Sequence, residues 1–154
     1  MRRLKLDALL AQNELFVGTS EWTRLDQQRI SEFAHATGDS QWLHLDARRA
    51  ADGPYGTTIA HGLLVLALLP ALTAEVLTVA GAAARINYGL DRVRFPRAVP
   101  SGARVRDHVT VLGAEERADG RDVLARLHHR LELEGADEPA CVAVTLTLFT
   151  REAA

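Results

Sequence analysis

From Ile59 to Ala84 the chain is almost continuously apolar, and after Gly81 its hydrophobic spacing changes from helical to alternating. No other feature limits the possible folds as much. A membrane-spanning helix needs roughly 20 apolar residues, but His61, Pro70, Thr73, Glu75 and Arg85 interrupt or flank this run. The pattern therefore predicts a buried core helix beginning near Ile59 and no membrane association. Pro70 should bend that helix, because proline lacks a main-chain donor and crowds the preceding turn.

The alternating remainder reads as strands. Ile86, Tyr88 and Leu90 share one face, and Val93 and Phe95 continue it one residue out of step, so a bulge is expected near Asp91 and Arg92. Pro96 and Pro100 close that strand. Val105, Val109 and Val111 mark the next, and Val123, Ala125, Leu127, Leu131 and Leu133 the one after. The last carries Val142, Val144, Leu146 and Leu148, with turns expected at Ala118 to Gly120 and at Gly135 to Glu138. Strands of about ten residues run about 34 Å, and a helix of roughly 18 to 20 residues is about 30 Å long. One antiparallel sheet can therefore wrap along one long central helix, an α+β architecture. A single sheet cannot fully cover a helix with almost no polar face, so edge-to-edge pairing into a homodimer is expected.

At 154 residues the chain suits a single domain, residues 1–154. Eighteen basic against twenty acidic residues leave a net charge of -2, which gives no overall attraction to nucleic acid or acidic membranes. The lone cysteine, Cys141, excludes an intrachain disulfide and sits in an apolar strand pattern, where a buried structural thiol is expected. The opening MRRLKLDALLAQNELF has only a short, interrupted apolar stretch and no cleavage pattern, so a cytoplasmic location is expected.

Chemistry-bearing residues gather before the apolar run. In DQQRISEFAHATG, Asp26 can cap a short helix with Ile30, Phe33, Ala34 and Thr37 on its apolar face, and Gly38 can stop it. Asp46 can cap a second short helix in DARRAA, which leaves GDSQWLHLD as a connecting loop; Gly53, Pro54 and Gly56 then form a turn. Within the loop, Asp39 and His44 stand five positions apart and can converge on one water. A carboxylate and an imidazole together can hold such a water and move its proton. The pair alone leaves open the plainer reading of a capping aspartate and an ordinary loop histidine.

His61-Gly62 stands at the start of the apolar helix, where unpaired N–H groups favour developing negative charge. Gly62 lets a ligand approach the backbone closely, while His61 reads as a helix-start residue that bonds locally, in preference to a direct catalytic role. Asn87, beside apolar strand residues, can orient His44 or a substrate or simply occupy a strand edge. Arg94 and Arg97 can meet phosphates or remain solvated. His128 and His129 must face opposite sides of their strand, so they cannot share a metal. His129, on the apolar face, is expected to be a hydrogen-bonded core histidine.

With these residues in view, GDSQWLHLDARRAADGPYGTTIAHGLLVLALLPAL resembles the hydratase motif of the MaoC-like dehydratases, whose (R)-specific enoyl-CoA hydratases share it. That motif has an aromatic residue, Gly-Asp, a histidine five residues later and a small residue six further on; here those are Phe33, Gly38-Asp39, His44 and Ala50. NYGLDRVRFPRAVPSGARV is similar to the strand region that follows, so the resemblance covers about residues 15 to 150. Gln41-Trp42 replaces the Asn-Pro of many hydratases, as in nodulation protein N-like proteins and mycobacterial hydratases, and Ala36 replaces a larger aliphatic residue.

The resemblance implies a hot-dog fold and hydration of a trans-2-enoyl-CoA to an (R)-3-hydroxyacyl-CoA, or the reverse. In that scheme Asp39 and His44 activate the water and the Gly62 amide polarises the thioester carbonyl. It implies no metal and no redox cofactor. The substrate is then an acyl-CoA thioester, with an acyl carrier protein thioester as the other form. Two rivals share the fold. A hot-dog thioesterase would use a carboxylate as base or nucleophile, which Asp39 followed by His44 speaks against. A non-catalytic acyl-thioester-binding module would be marked by loss of the Asp or the His, and both are present.

Overall fold

A computed structural model describes residues 1–117, 120 and 122–151. The first elements are β1 (Arg2–Lys5), α1 (Leu6–Leu10), β2 (Leu15–Thr19), β3 (Thr23–Arg24), α2 (Gln27–Thr37), α3 (Trp42–Leu45) and α4 (Ala47–Ala51). They are followed by α5 (Gly62–Ala67), α6 (Leu69–Val76), β4 (Leu77–Ala80), β5 (Ala82–Arg94), β6 (Arg104–Glu116), β7 (Asp122–Leu133) and β8 (Cys141–Arg151). Ala118 and Asp119 of the first expected turn lie outside the described residues.

The central helix is shorter than expected and divided. It begins at Gly62, three residues after Ile59, and α5 gives way to α6 at Leu68. Pro70 occupies the first turn of α6, where a missing N–H has no intrahelical partner to lose. The interruption of the helix therefore falls at Leu68, just before the proline. Helix also stops earlier than the apolar run does: Leu77–Ala80 is extended as β4 and pairs in parallel with β1, Arg2 opposite Leu77 and Lys5 opposite Ala80. A main-chain partner from the far N-terminus satisfies these peptide groups, which local apolarity could not foretell. Among the described residues no helix is long and apolar enough to cross a membrane.

The principal sheet has the order β2-β6-β7-β8-β5, with β3 also paired to β6, and all of these pairings are antiparallel. The expected four strands are present. β5 shifts register between Leu90 and Arg92, where the bulge was expected, and at two further points. Strand β8 turns the face opposite to its Val142, Val144, Leu146, Leu148 series toward the core. Its register decides this, because Cys141, Ala143 and Phe149 lie opposite Leu131, His129 and Val123 of β7, and cross-strand partners share a face. Cys141, Ala143, Thr147 and Phe149 are buried as a result.

Helices α5 and α6 pack onto that concave face. Leu64, Val65, Leu69 and Leu72 join Val105, Leu131, Cys141 and Ala143 in one core cluster. Val76 and Leu77 join Leu9, Val109, Val111, Val123 and Phe149 in a second. This is the sheet-around-helix arrangement of the hot-dog fold. Within the core face lies one buried polar pair, Asp107 Oδ2 to His129 Nδ1 at 2.7 Å, with Thr145 Oγ1 3.0 Å from His129 Nε2. His129 is thus the hydrogen-bonded core histidine expected; its partner Asp107 was not foreseen.

Candidate active site

Local capping chemistry delivers the loop. The Asp26 side chain accepts from the Arg29 N–H at 3.0 Å and starts α2. Gly38, at φ 77°, ends it in the left-handed conformation that favours glycine, and its N–H bonds the Ala34 carbonyl. The chain then turns sharply into Asp39. The connecting segment is not wholly loop: Trp42–Leu45 forms a single helical turn, α3, and His44 rides on it. Asp46 caps α4 through the Arg49 N–H, as expected.

His44 is buried and held from three directions. Its Nδ1 lies 2.7 Å from the Ile59 carbonyl oxygen. A carbonyl oxygen only accepts, so the proton is on Nδ1 and, in the neutral ring, Nε2 keeps its lone pair. The Ile59 N–H in turn donates to the Leu43 carbonyl at 3.0 Å. Gln27 Nε2 donates to the His44 carbonyl at 2.7 Å, while its Oε1 accepts from Thr58 Oγ1 at 2.6 Å. Nothing in the sequence separates Gln27 from the neighbouring Gln28, so this clamp could be found only in three dimensions.

Asp39 is exposed, and its carboxylate, a His44 ring nitrogen and a His61 ring nitrogen lie within 4.8 Å of one another. That spacing would suit a metal, but the ring geometry does not. His44 and His61 stack with centroids 3.7 Å apart and planes at 26°. Ring lone pairs lie in the ring planes, so the two rings present theirs side by side rather than toward a common point. The His44 Nδ1 and the His61 Nε2 are each already engaged with a carbonyl.

His44 and Gly62 line the same cavity of about 660 Å³, together with Tyr55, Ile59, Val65, Phe95 and Arg97. This volume lies within the range typical of small-molecule sites. Gly62 is the first residue of α5, and a Cβ there would come 3.0 Å from the Phe95 ring. Asn87 does not line this cavity. It lies on β5 over a groove of about 360 Å³ lined by Leu63, Leu66, Pro70, Leu90 and Leu146. Arg97 stands on the cavity wall 3.9 Å from Glu138, whereas Arg94 bonds the Val93 carbonyl. Cys141 is buried, and burial, aided by the charge of Asp107, pushes its thiol up to about 12, so it offers no nucleophile.

The family model for the MaoC like domain matches residues 12–132. The chain belongs to the MaoC-like dehydratase family. It is an enzyme of the hydratase and dehydratase kind. This MaoC-like dehydratase is 48% identical over 133 residues to 3-hydroxyacyl-thioester dehydratase Z of Mycobacterium tuberculosis, covering 86% of this chain and 87% of the relative. It is 38% identical over 136 residues to nodulation protein N of Rhizobium leguminosarum bv. viciae, covering 86% and 83%. Both groups to which the Gln41-Trp42 variant pointed are therefore among its relatives. Among solved structures it is similar to the R-hydratase PhaJ1 of Pseudomonas aeruginosa, with a TM-score of 0.71, 27% identity and coverage of 93% of this chain and 86% of that one. The hot-dog fold of the MaoC-like dehydratase is the fold of that hydratase.

Proposed function

We propose that this MaoC-like dehydratase hydrates a trans-2-enoyl-CoA to the (R)-3-hydroxyacyl-CoA, or runs the reverse dehydration, with one water held by Asp39 and His44. The observation that carries the reading is the bond from His44 Nδ1–H to the Ile59 carbonyl, which leaves Nε2 as an acceptor on a ring that has one nitrogen within 4.8 Å of the Asp39 carboxylate. A water between two acceptors gives a proton to each hydrogen bond and turns an oxygen lone pair outward. That oxygen attacks C3 of the enoyl group. The Asp39–His44 pair takes the proton it releases and returns one to C2, so the elements of water add across the C2=C3 bond. Negative charge that grows on the thioester oxygen meets the main-chain N–H of Gly62, which has no partner within α5.

The acyl chain extends along apolar Ile59, Val65 and Phe95, and Arg97 on the cavity wall is available to a coenzyme A phosphate. The names of the tuberculosis and Pseudomonas relatives support this reaction class. A homodimer completes the proposal. Strand β5 is a sheet edge on which Ile86, Tyr88 and Leu90 are 46%, 52% and 49% exposed, an apolar edge that a second copy would cover. Asn87, on that edge, would then contribute at the dimer groove. Light scattering on Leu90→Glu should show monomer where the wild type shows dimer. The enzyme works in the cytoplasm, where Cys141 stays reduced.

The deciding assay follows the enoyl-thioester absorbance of crotonyl-CoA and longer trans-2-enoyl-CoAs, with Asp39→Asn and His44→Ala as controls. Loss of absorbance without free thiol, abolished by both substitutions, is expected. Released thiol would instead identify a thioesterase. Silence on every coenzyme A ester would transfer the substrate to an acyl carrier protein or leave a binding role.

A further inference from the structure

His61 is 2% exposed and lies in the candidate site without facing the cavity that His44 and Gly62 line. Its Nε2 is 2.9 Å from the main-chain carbonyl oxygen of Asp39. Since that oxygen only accepts, Nε2 carries the proton and Nδ1 of the neutral ring is bare. Nδ1 is buried and has no hydrogen-bond partner among the described residues. A buried acceptor without a partner is costly, so a residue that merely filled this space would better be apolar. The ring is instead pressed between two others: His44 stacks on it at 3.7 Å, and Phe33 leans on it at 5.0 Å and 52°.

Asp39 needs such an anchor. It follows the left-handed Gly38, is exposed, and has its N–H only 3.4 Å from Thr37 Oγ1, at the limit of a hydrogen bond. The His61 bond is the shorter tie. One side chain thus touches both members of the pair, Asp39 through its main chain and His44 through its ring face. We infer that His61 is a positioning residue, which fixes the separation of the Asp39 carboxylate and His44 Nε2 without touching the reacting atoms. The inference rests on the hydration reading for its kinetic consequence and on geometry alone for its tautomer. A phenyl ring would stack but not donate; an amide would donate but not stack.

Two measurements test it. In the enoyl-CoA assay, His61→Phe should lower kcat by about 10- to 100-fold with KM nearly unchanged, because small misplacements of catalytic groups cost rate rather than binding. His61→Gln, whose amide nitrogen reaches about as far as Nε2, should recover a substantial part of that loss. A His61→Phe enzyme with wild-type kcat, or with a raised KM alone, would overturn the inference. Long-range proton–nitrogen spectra of the wild-type protein should show opposite tautomers, Nε2–H for His61 and Nδ1–H for His44; Nδ1–H on His61 would overturn it without any variant. If the wild type fails to hydrate any enoyl-CoA, the functional reading falls, while the spectra still decide the geometry of His61.

Discussion

His44 Nδ1 lies 2.7 Å from the carbonyl oxygen of Ile59, and this bond between residues fifteen positions apart decides which ring nitrogen can act as a base. Asparagine at position 44 would place an amide N–H near the Nδ1 position and nothing where Nε2 stands. His44→Asn should therefore keep the tether to Ile59 and change stability by less than ~1 kcal/mol, while kcat for enoyl-CoA hydration falls by about 10²- to 10⁴-fold. Thermal unfolding measured beside steady-state kinetics separates the two effects.

Gly62 and Phe95 are a coupled pair. An added Cβ at position 62 would meet the ring at 3.0 Å, but Phe95 is 41% exposed and can swing toward solvent. Gly62→Ala should thus cost little stability, on the order of 1 kcal/mol, and act mainly by raising KM several-fold as the displaced ring reshapes the cavity. In a double-mutant cycle, Phe95→Ala should relieve much of that defect, and strict additivity of the two changes would refute the coupling.

The buried pair Asp107–His129 makes a stability prediction. Both side chains are essentially inaccessible, and Asp107 Oδ1 already has no partner among the described residues. His129→Leu would leave a buried carboxylate unpaired and should destabilise by about 3–5 kcal/mol. Combining Asp107→Leu with His129→Leu removes the uncompensated charge, so the double variant should be more stable than His129→Leu alone. Urea unfolding of the three proteins checks the order.

The Cys141 thiol is raised from its ordinary 9.0 to about 12, first by burial and then by the Asp107 charge. At pH 8 an alkylating reagent should leave the folded protein unlabelled and modify the thiol fully in denaturant, as mass spectrometry would show. The linkage has a definite sign. The folded state keeps this proton more tightly than the unfolded chain does, so the stabilisation is complete below about pH 9 and is lost as pH rises through 12. Alkaline unfolding of Cys141→Ala should be correspondingly shallower over that window.

Much of this protein was determined by sequence acting locally. Asp26, Gly38 and Asp46 start or end helices through bonds within one turn of the chain, and they appear where the residues indicate. The alternation after Gly81 became four long strands because a period of two cannot be buried any other way. The spacing of Phe33, Gly38-Asp39, His44 and Ala50 and the His61-Gly62 helix start pointed to the MaoC-like family, and the Gln41-Trp42 departure pointed to the group within it that holds the nodulation and mycobacterial relatives.

Tertiary structure decided what depended on partners distant in sequence. Leu77–Ala80 is a strand because β1 lies beside it, and the inward face of β8 was chosen by the register of β7. The Ile59 carbonyl set the His44 tautomer, Gln27 clamped the His44 backbone, and His61 met both Asp39 and His44. Asn87 was carried to the β5 edge groove, away from the His44 cavity. A residue's identity and spacing specify which bonds it is able to make; only packing brings up the particular donor, carbonyl or ring face that takes them.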